Sequence, residues 1–276
     1  MSGPLQSDRW LIALDVDGTI LREDGKLTSK VAKQIARVAA LGHEVTIATG
    51  RSVGMTLPVL DRLGVTPEYV VCANGAITLR RETEAAVAYV RDAVETFDPT
   101  EVLTTIRSHL SSARYAVEDE AGLFLYSGGE FPEGAIEASG ELVEFEQLLG
   151  VRATRVVVIS PEHAIEDFLA VVEKMGLHRV SYNVGWTAWL DIAPAGVNKA
   201  FALERVREKL DIPRDRVMAV GDGRNDIEML EWAAASGRGV AMGQAPAEVI
   251  AAANETTATD VRDGVAVLLR TFDARR

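Results

Sequence analysis

Trp10-Leu11-Ile12-Ala13-Leu14-Asp15-Val16-Asp17-Gly18-Thr19-Ile20 is the stretch on which the fold turns. The run Trp10–Leu14 is apolar throughout and reads as a buried strand. It stops at two carboxylates one residue apart, Asp15 and Asp17, followed by Gly18 and Thr19. Open α/β sheets place ligands at the carboxyl ends of their strands, which makes this junction a candidate site. Carboxylates this close repel one another unless a cation or a shared proton lies between them. Mg²⁺ is the economical choice, because it takes one or two carboxylates and leaves room for a substrate phosphate. Asp and Gly are also ordinary turn residues, so the stretch alone is compatible with a strand running into a polar turn.

Working outward, Thr28 is positioned to cap a helix from about Ser29 to Leu41. Val31, Ile35, Val38 and Leu41 keep helical spacing, and Gly42 is a natural stop. Glu44–Ala48 is a second short strand, ending in Thr49-Gly50-Arg51. Strand, helix, strand with polar residues at both strand ends is the signature of a parallel sheet with crossover helices. A helix containing Pro58 follows, then a strand at Tyr69–Ala73. Asn74-Gly75 separates two apolar runs and predicts a hairpin, since both residues tolerate positive φ; a place for Asn74 near the site stays open.

From about Arg81 to Val184 the pattern changes. Strand-like runs at Arg114–Glu118, Leu123–Tyr126, Thr154–Ile159 and Arg179–Val184 mix with helical ones. Ser160-Pro161 predicts a capped helix start that Gly176 closes, and residues 128–134 are a loop by composition. Trp186 and Trp189 lie at the exit of this region, where aromatics pack a core or line a substrate. The fold class is therefore α/β: a Rossmann-like, doubly wound parallel sheet formed by residues 1–80 and 191–276, with an α+β module inserted at 81–190.

Beyond the insert, Lys199 opens a helix running to about Leu210. A cation at the positive end of a helix dipole is disfavoured, a conflict that a bound anion would resolve. Arg216–Val220 is another buried strand. It ends in Gly221-Asp222-Gly223-Arg224-Asn225-Asp226, with a helix at Ile227–Ala235. Carboxylates again stand at a strand end, and the glycines let backbone approach a ligand. A last strand at Gly239–Met242 and helices near Ala247–Ala253 and Gly264–Phe272 read as structural.

Composition narrows the function classes. The net charge of −12 over 276 residues argues against nucleic acid as a partner. No stretch approaches the roughly 18 apolar residues of a membrane span, and Met1–Arg9 has no signal-peptide core. Cys72 is the single cysteine and reads as a small core residue, so a reducing, cytoplasmic setting is expected. None of the four histidines falls in the strand-end loops, which disfavours zinc and suits an all-oxygen Mg²⁺ site. A Walker loop and a dinucleotide fingerprint are both missing from the sequence.

The parallel arrangement brings Asp15, Asp17, Thr49, Lys199 and the segment Asp222–Asp226 to one rim. A carboxylate can attack phosphorus and form an aspartyl phosphate. Mg²⁺, Lys199, Thr49 and loop amides would neutralise the phosphoryl oxygens. Asp17 can donate the proton to the leaving group and later activate water.

Asp15-Val-Asp17-Gly-Thr19, Thr49-Gly50-Arg51, Lys199 and Gly221-Asp222-Gly-Arg-Asn225-Asp226 together resemble the four motifs of the haloacid dehalogenase superfamily of phosphohydrolases. Asn74-Gly75-Ala76, Gly196-Val197-Asn198-Lys199 and the length of the insert are similar to its Cof-type branch, subfamily IIB, with a large α/β cap. The resemblance covers nearly the whole chain. It implies Asp15 as nucleophile and metal ligand, and Asp17 as general acid/base whose main-chain carbonyl also meets Mg²⁺. It implies Asp222 as the further Mg²⁺ ligand. Val16 (through its amide), Thr49, Gly50, Lys199 and Asn225 would hold the phosphoryl group, with Asp226 in support of Lys199 or a metal-bound water. The implied cofactor is Mg²⁺ and the implied partner a small phosphorylated metabolite such as a sugar phosphate, with the cap closing over the site as a lid. A sugar-phosphate mutase shares this chemistry; a phospho-receiver or a silent sugar-phosphate-binding protein are more distant readings.

Overall fold

A computed structural model describes residues 8–82, 88–132, 140–175, 180–184 and 188–272. Two compact units are present, one from Met1–Arg51, Met55–Asp92 and Asn198–Arg276, the other from Ser52–Gly54 and Ala93–Val197. Gly176, Trp186 and the end of the 128–134 loop lie outside the described residues.

The first unit begins with β1 (Leu11–Leu14), α1 (Ser29–Ala40), β2 (Glu44–Ile47), α2 (Val53–Leu63), β3 (Tyr69–Cys72), β4 (Ile77–Glu82) and β5 (Ala88–Val94). The second contributes α3 (Thr100–His109), β6 (Arg114–Asp119), β7 (Phe124–Ser127), β8 (Glu141–Leu142), β9 (Ala153–Ile159), α4 (Ile165–Met175), β10 (Val180–Val184) and β11 (Trp189–Pro194). The chain then returns to the first unit with α5 (Lys199–Lys209), β12 (Val217–Gly221), α6 (Ile227–Ala234), β13 (Arg238–Ala241), α7 (Ala247–Ala252), β14 (Glu255–Thr256) and α8 (Gly264–Leu269).

The main sheet of the first unit is parallel, in the order β14-β13-β12-β1-β2. Every residue of β1 is buried, which is why the strand reads as a continuous apolar run: both its faces are covered. Leu11 and Ala13 pack with Leu203, Val206, Met229 and Leu230, while Ile12 and Leu14 alternate to the other side. Register sets the rim. Leu14 stands opposite Val220 on one side and Ile47 on the other, so the residues after these three strands emerge together.

Thr28 caps α1 by accepting from the Val31 N–H, and Val31, Ile35 and Val38 form its buried stripe. The helix α2 runs through Pro58, whose ring is on the exposed side, where the missing N–H is least disruptive. At Asn74-Gly75 the antiparallel pair β3–β4 is joined by four residues rather than two, since the last register pair is Cys72 with Ile77. Ala73, Asn74 and Gly75 all take positive φ, at 49°, 51° and 100°.

The second unit holds a six-stranded sheet in the order β10-β11-β9-β6-β7-β8, antiparallel except between β7 and β8. Tyr115, Val117, Val156, Val158 and Leu190 pack with Leu103 and Ile106 of α3 and Phe168 of α4. Trp189 joins a second apolar cluster with Ala116, Phe124, Val157 and Ile159, a packing role. The helix expected to begin at Pro161 starts at Ile165 instead. Ser160 is spent on a local turn, accepting from the His163 N–H and bonding its ring through Oγ at 2.7 Å, so it is not free to cap the helix.

Arg155 and Asp191 form a bidentate pair across β9 and β11, both bonds 2.8 Å, in a nearly solvent-free setting. Burial opposes the Arg155 charge, and Asp191 outweighs it, raising the guanidinium above its ordinary value. Removing one partner of such a pair leaves the other charged and buried. Asp191→Ala is expected to destabilise the protein by about 3–5 kcal/mol in urea unfolding; a loss under about 1 kcal/mol would show that the pair carries no such weight.

Candidate active site

The ends of β1, β2 and β12 and the start of α5 deliver the parts of the site. Directly after β1 the Asp15 N–H donates to Val220 O of β12 at 2.9 Å, which fixes the carboxylate at the rim. The Lys199 ammonium, from the first turn of α5, reaches back 2.6 Å to Asp15 Oδ1 and 2.6 Å to Asp226 Oδ1. Its side chain is 0% exposed. Asn198 caps that helix by accepting from the Phe201 N–H at 2.9 Å, so the lysine is presented from a fixed turn.

Asp226 uses its other oxygen to accept the N–H groups of Asp222 (3.0 Å) and Gly223 (2.9 Å), folding the 221–226 loop around itself. Asp222 in turn accepts from the Thr19 hydroxyl at 2.8 Å. Gly18, at φ +76°, lies against the Asp222 carboxylate; a Cβ there would come within 2.1 Å of Oδ2. Here glycine is required both by conformation and by space.

Asp15, Asp222 and Asp226 each present a carboxylate oxygen within 4.8 Å of the others, and all three are buried. One ammonium faces three carboxylates. Burial first, and then its acidic neighbours against the pull of Lys199, push Asp15 well above the usual carboxylate range. Burial, with Asp226 next, raises Asp222 to about 7 despite the Thr19 hydrogen bond. The Lys199 charge is opposed by burial but raised overall by Asp15 and Asp226. The cluster therefore holds more negative charge than it neutralises, and its donors are all hard oxygens. That donor set fits a divalent cation such as Mg²⁺.

The Asp17 side chain is not one of the three clustered carboxylates. It is 61% exposed and forms a bidentate pair with Arg51, Nε to Oδ2 at 2.8 Å and a terminal nitrogen to Oδ1 at 2.5 Å. Thr49 is buried, and its Oγ1 accepts the Arg51 N–H at 3.1 Å. Gly50 lies against the Asn74 side chain. Asn225 donates from Nδ2 to Asn74 Oδ1 at 3.0 Å. Val16 is buried, its carbonyl accepting the N–H groups of Thr19 and Leu21.

The structure thus gathers Asp15, Lys199, Asp222 and Asp226 into one contiguous cluster with Thr19 as an addition. It links Asp17 to the Thr49–Arg51 loop and Asn225 to Asn74. Sequence reasoning gave Arg51 and Thr19 no role. For Arg51 a signal existed, a lone guanidinium directly after a rim loop that faces two acids; Thr19 figured only as the end of the Asp15–Thr19 motif.

The chain is similar in sequence and fold to known proteins. Residues 12–269 match the haloacid dehalogenase-like hydrolase family. The chain is 28% identical over 279 residues to the 5-amino-6-(5-phospho-D-ribitylamino)uracil phosphatase YitU of Bacillus subtilis, covering 97% of this chain and 99% of that protein. Among solved structures, one from a phosphoryl-transfer superfamily with a conserved trigonal-bipyramidal intermediate aligns at TM-score 0.79 with 20% identity, over 96% of this chain and 98% of that one. The HAD subclass IIB sugar phosphatase BT4131 aligns at TM-score 0.77 with 22% identity, over 95% and 98%. These two establish likeness of fold. With a family match spanning nearly all of the described sheet and site, the chain belongs to the haloacid dehalogenase-like hydrolases, in their Cof-type branch.

Proposed function

We propose that this chain, a phosphatase of the haloacid dehalogenase-like family, hydrolyses monoesters of small phosphorylated metabolites, sugar and sugar-alcohol phosphates foremost. The observation that carries the reading is the buried Lys199 ammonium clasped between Asp15 and Asp226. It fixes one oxygen of Asp15, and in this reading the other attacks phosphorus. The first similar protein named above acts on a phosphorylated ribityl compound, and that supports the substrate class assigned here.

In this reading an Asp15 oxygen attacks phosphorus, the ester oxygen departs, and an aspartyl phosphate forms on Asp15. Lys199, Thr49, Asn225 and the amides of Val16 and Gly50 hold the phosphoryl oxygens as charge moves onto the leaving group. Asp17 delivers the proton to the leaving alkoxide, then takes a proton from the water that attacks the phosphorus and frees Asp15. The bidentate pair with Arg51 must open before an Asp17 oxygen can serve in either step. When bound, Mg²⁺ would be held by Asp15, Asp222 and the Asp17 main-chain carbonyl and would supply positive charge beside the phosphoryl oxygens. The inserted unit is assigned the choice among leaving groups. A single buried cysteine fits a reducing, cytoplasmic setting, and no described helix is long and apolar enough to cross a membrane.

A phosphate-release screen over phosphorylated metabolites, with and without Mg²⁺, tests the reading. Asp15→Asn is expected to abolish release, and Asp17→Asn to slow it by about 10²–10⁴-fold. Wild-type rates from Asp15→Asn would remove the nucleophile, and isomerised sugar phosphate in place of free phosphate would point to a mutase.

The cation has its own test. Because Asp222 titrates at about 7 in the fold, well above an unfolded aspartate, the folded chain keeps a proton that the unfolded chain releases. The stability this contributes is fully present below about pH 4 and is lost as pH rises through about 7. Once ionised, Asp15 and Asp222 would hold Mg²⁺, whose charge would offset theirs. In thermal melts with EDTA, the transition is expected to fall as pH is raised from 5 to 8, and millimolar Mg²⁺ to raise it on the order of several degrees at pH 8 and far less at pH 5. An equal Mg²⁺ effect at both pH values would contradict this.

A further inference from the structure

The turn between β3 and β4 does more than reverse the chain. Asn74 is buried, 4% exposed, and holds a left-handed conformation. An asparagine in that region is ordinarily explained by its own conformational tolerance. Its side chain, however, is not confined to the local backbone: Oδ1 accepts from Asn225, 151 residues further along the chain. The amide also lies against Gly50, where an added Cβ would come within 3.1 Å of Asn74 Oδ1.

The same turn meets two more pieces of the rim. The Asn74 N–H donates to Thr49 O at 3.0 Å and the Ala73 N–H to Arg51 O at 2.8 Å, bracing the 49–51 loop from behind. Gly75, at φ +100°, lies so close to the residue before Lys199 that a Cβ would sit 2.2 Å from Asn198 O. One turn thus touches the segments carrying Thr49 and Gly50, Lys199, and Asn225. These are the groups assigned above to the phosphoryl oxygens. They come from three separate places in the sequence and share no other single contact partner in the interactions above.

We propose that Asn74 is a positioning residue of the phosphatase reaction: it aims the Asn225 amide at the phosphoryl oxygens and registers it against the 49–51 loop. The inference rests on the functional reading of the previous subsection. Asn74 itself need not touch substrate. Anchoring Oδ1 of Asn74 on one Asn225 N–H fixes the plane of that amide, and with it the direction of the remaining N–H. A loose amide would still be polar but would meet the anion in many orientations, losing the benefit of preorganised donors.

The test is a double-mutant cycle on Asn74→Gly, Asn225→Ala and the pair. Glycine keeps the left-handed backbone while deleting the side chain; Asn74→Ser serves the same comparison should the glycine variant fail to fold. Two readouts are taken with Mg²⁺ present: KM and kcat for p-nitrophenyl phosphate, and calorimetric affinity for orthophosphate, which needs no turnover. Asn74→Gly is expected to weaken orthophosphate about five- to tenfold, the loss of roughly one oriented hydrogen bond, and to raise KM in parallel. In the Asn225→Ala background it is expected to change either readout less than twofold. A wild-type affinity in Asn74→Gly, or the same loss with and without Asn225, overturns the positioning role while leaving the phosphatase reading intact. A wild-type protein that neither turns over nor binds orthophosphate overturns the phosphatase reading, and this inference with it.

Discussion

A lysine ammonium with no exposed surface sits between two aspartates, and the rest of the site follows from that arrangement. Burying a charge without partners costs several kcal/mol even after relaxation, so Lys199 is tolerable only because Asp15 and Asp226 both meet it at 2.6 Å. The partners bring their own problem. With Asp222 beside them, three buried carboxylates share one cation, and desolvation shows in the raised values of Asp15 and Asp222. A further positive ion would relieve the excess, and a phosphoryl group then brings its own negative charge between them.

The parallel sheet is the means of bringing those charges together. Asp15 and Lys199 are 184 residues apart in sequence, and Thr19 and Asp222 are 203 apart. They meet because β1 pairs in register with β12 and β2, which brings three strand ends out on one rim. Glycine makes the close approach possible at Gly18, where any side chain would collide with Asp222. The apolar interior of β1 and the acids after it are thus two halves of one design. The core fixes the strand, and the strand fixes the carboxylate.

Much of this was legible in the sequence, for a physical reason. Buried parallel strands such as Leu11–Leu14 and Val217–Gly221 are short, apolar and stop abruptly at polar residues, a pattern with few alternative readings. Thr28 as the cap of α1 could be read from position alone. Other features were hidden because they depend on partners distant in sequence. The pairing of Asp17 with Arg51 joins two rim loops, and although the lone guanidinium was a signal, spacing alone does not say which acid it meets. The Asn74 side chain looks local until Asn225 is placed beside it. Ser160 offered a plausible cap and was instead captured by His163, three residues on. Local competition of that kind is invisible to spacing rules.

The central claim is that Asp15 carries the phosphoryl group within the acid cluster. A crystal structure with Mg²⁺ and orthovanadate tests it most directly. The account predicts vanadium within bonding distance of an Asp15 oxygen, its own oxygens met by Lys199 and Asn225, and the metal touching Asp15 and Asp222. Vanadate bound away from Asp15, or a metal that ignores Asp222, would contradict it.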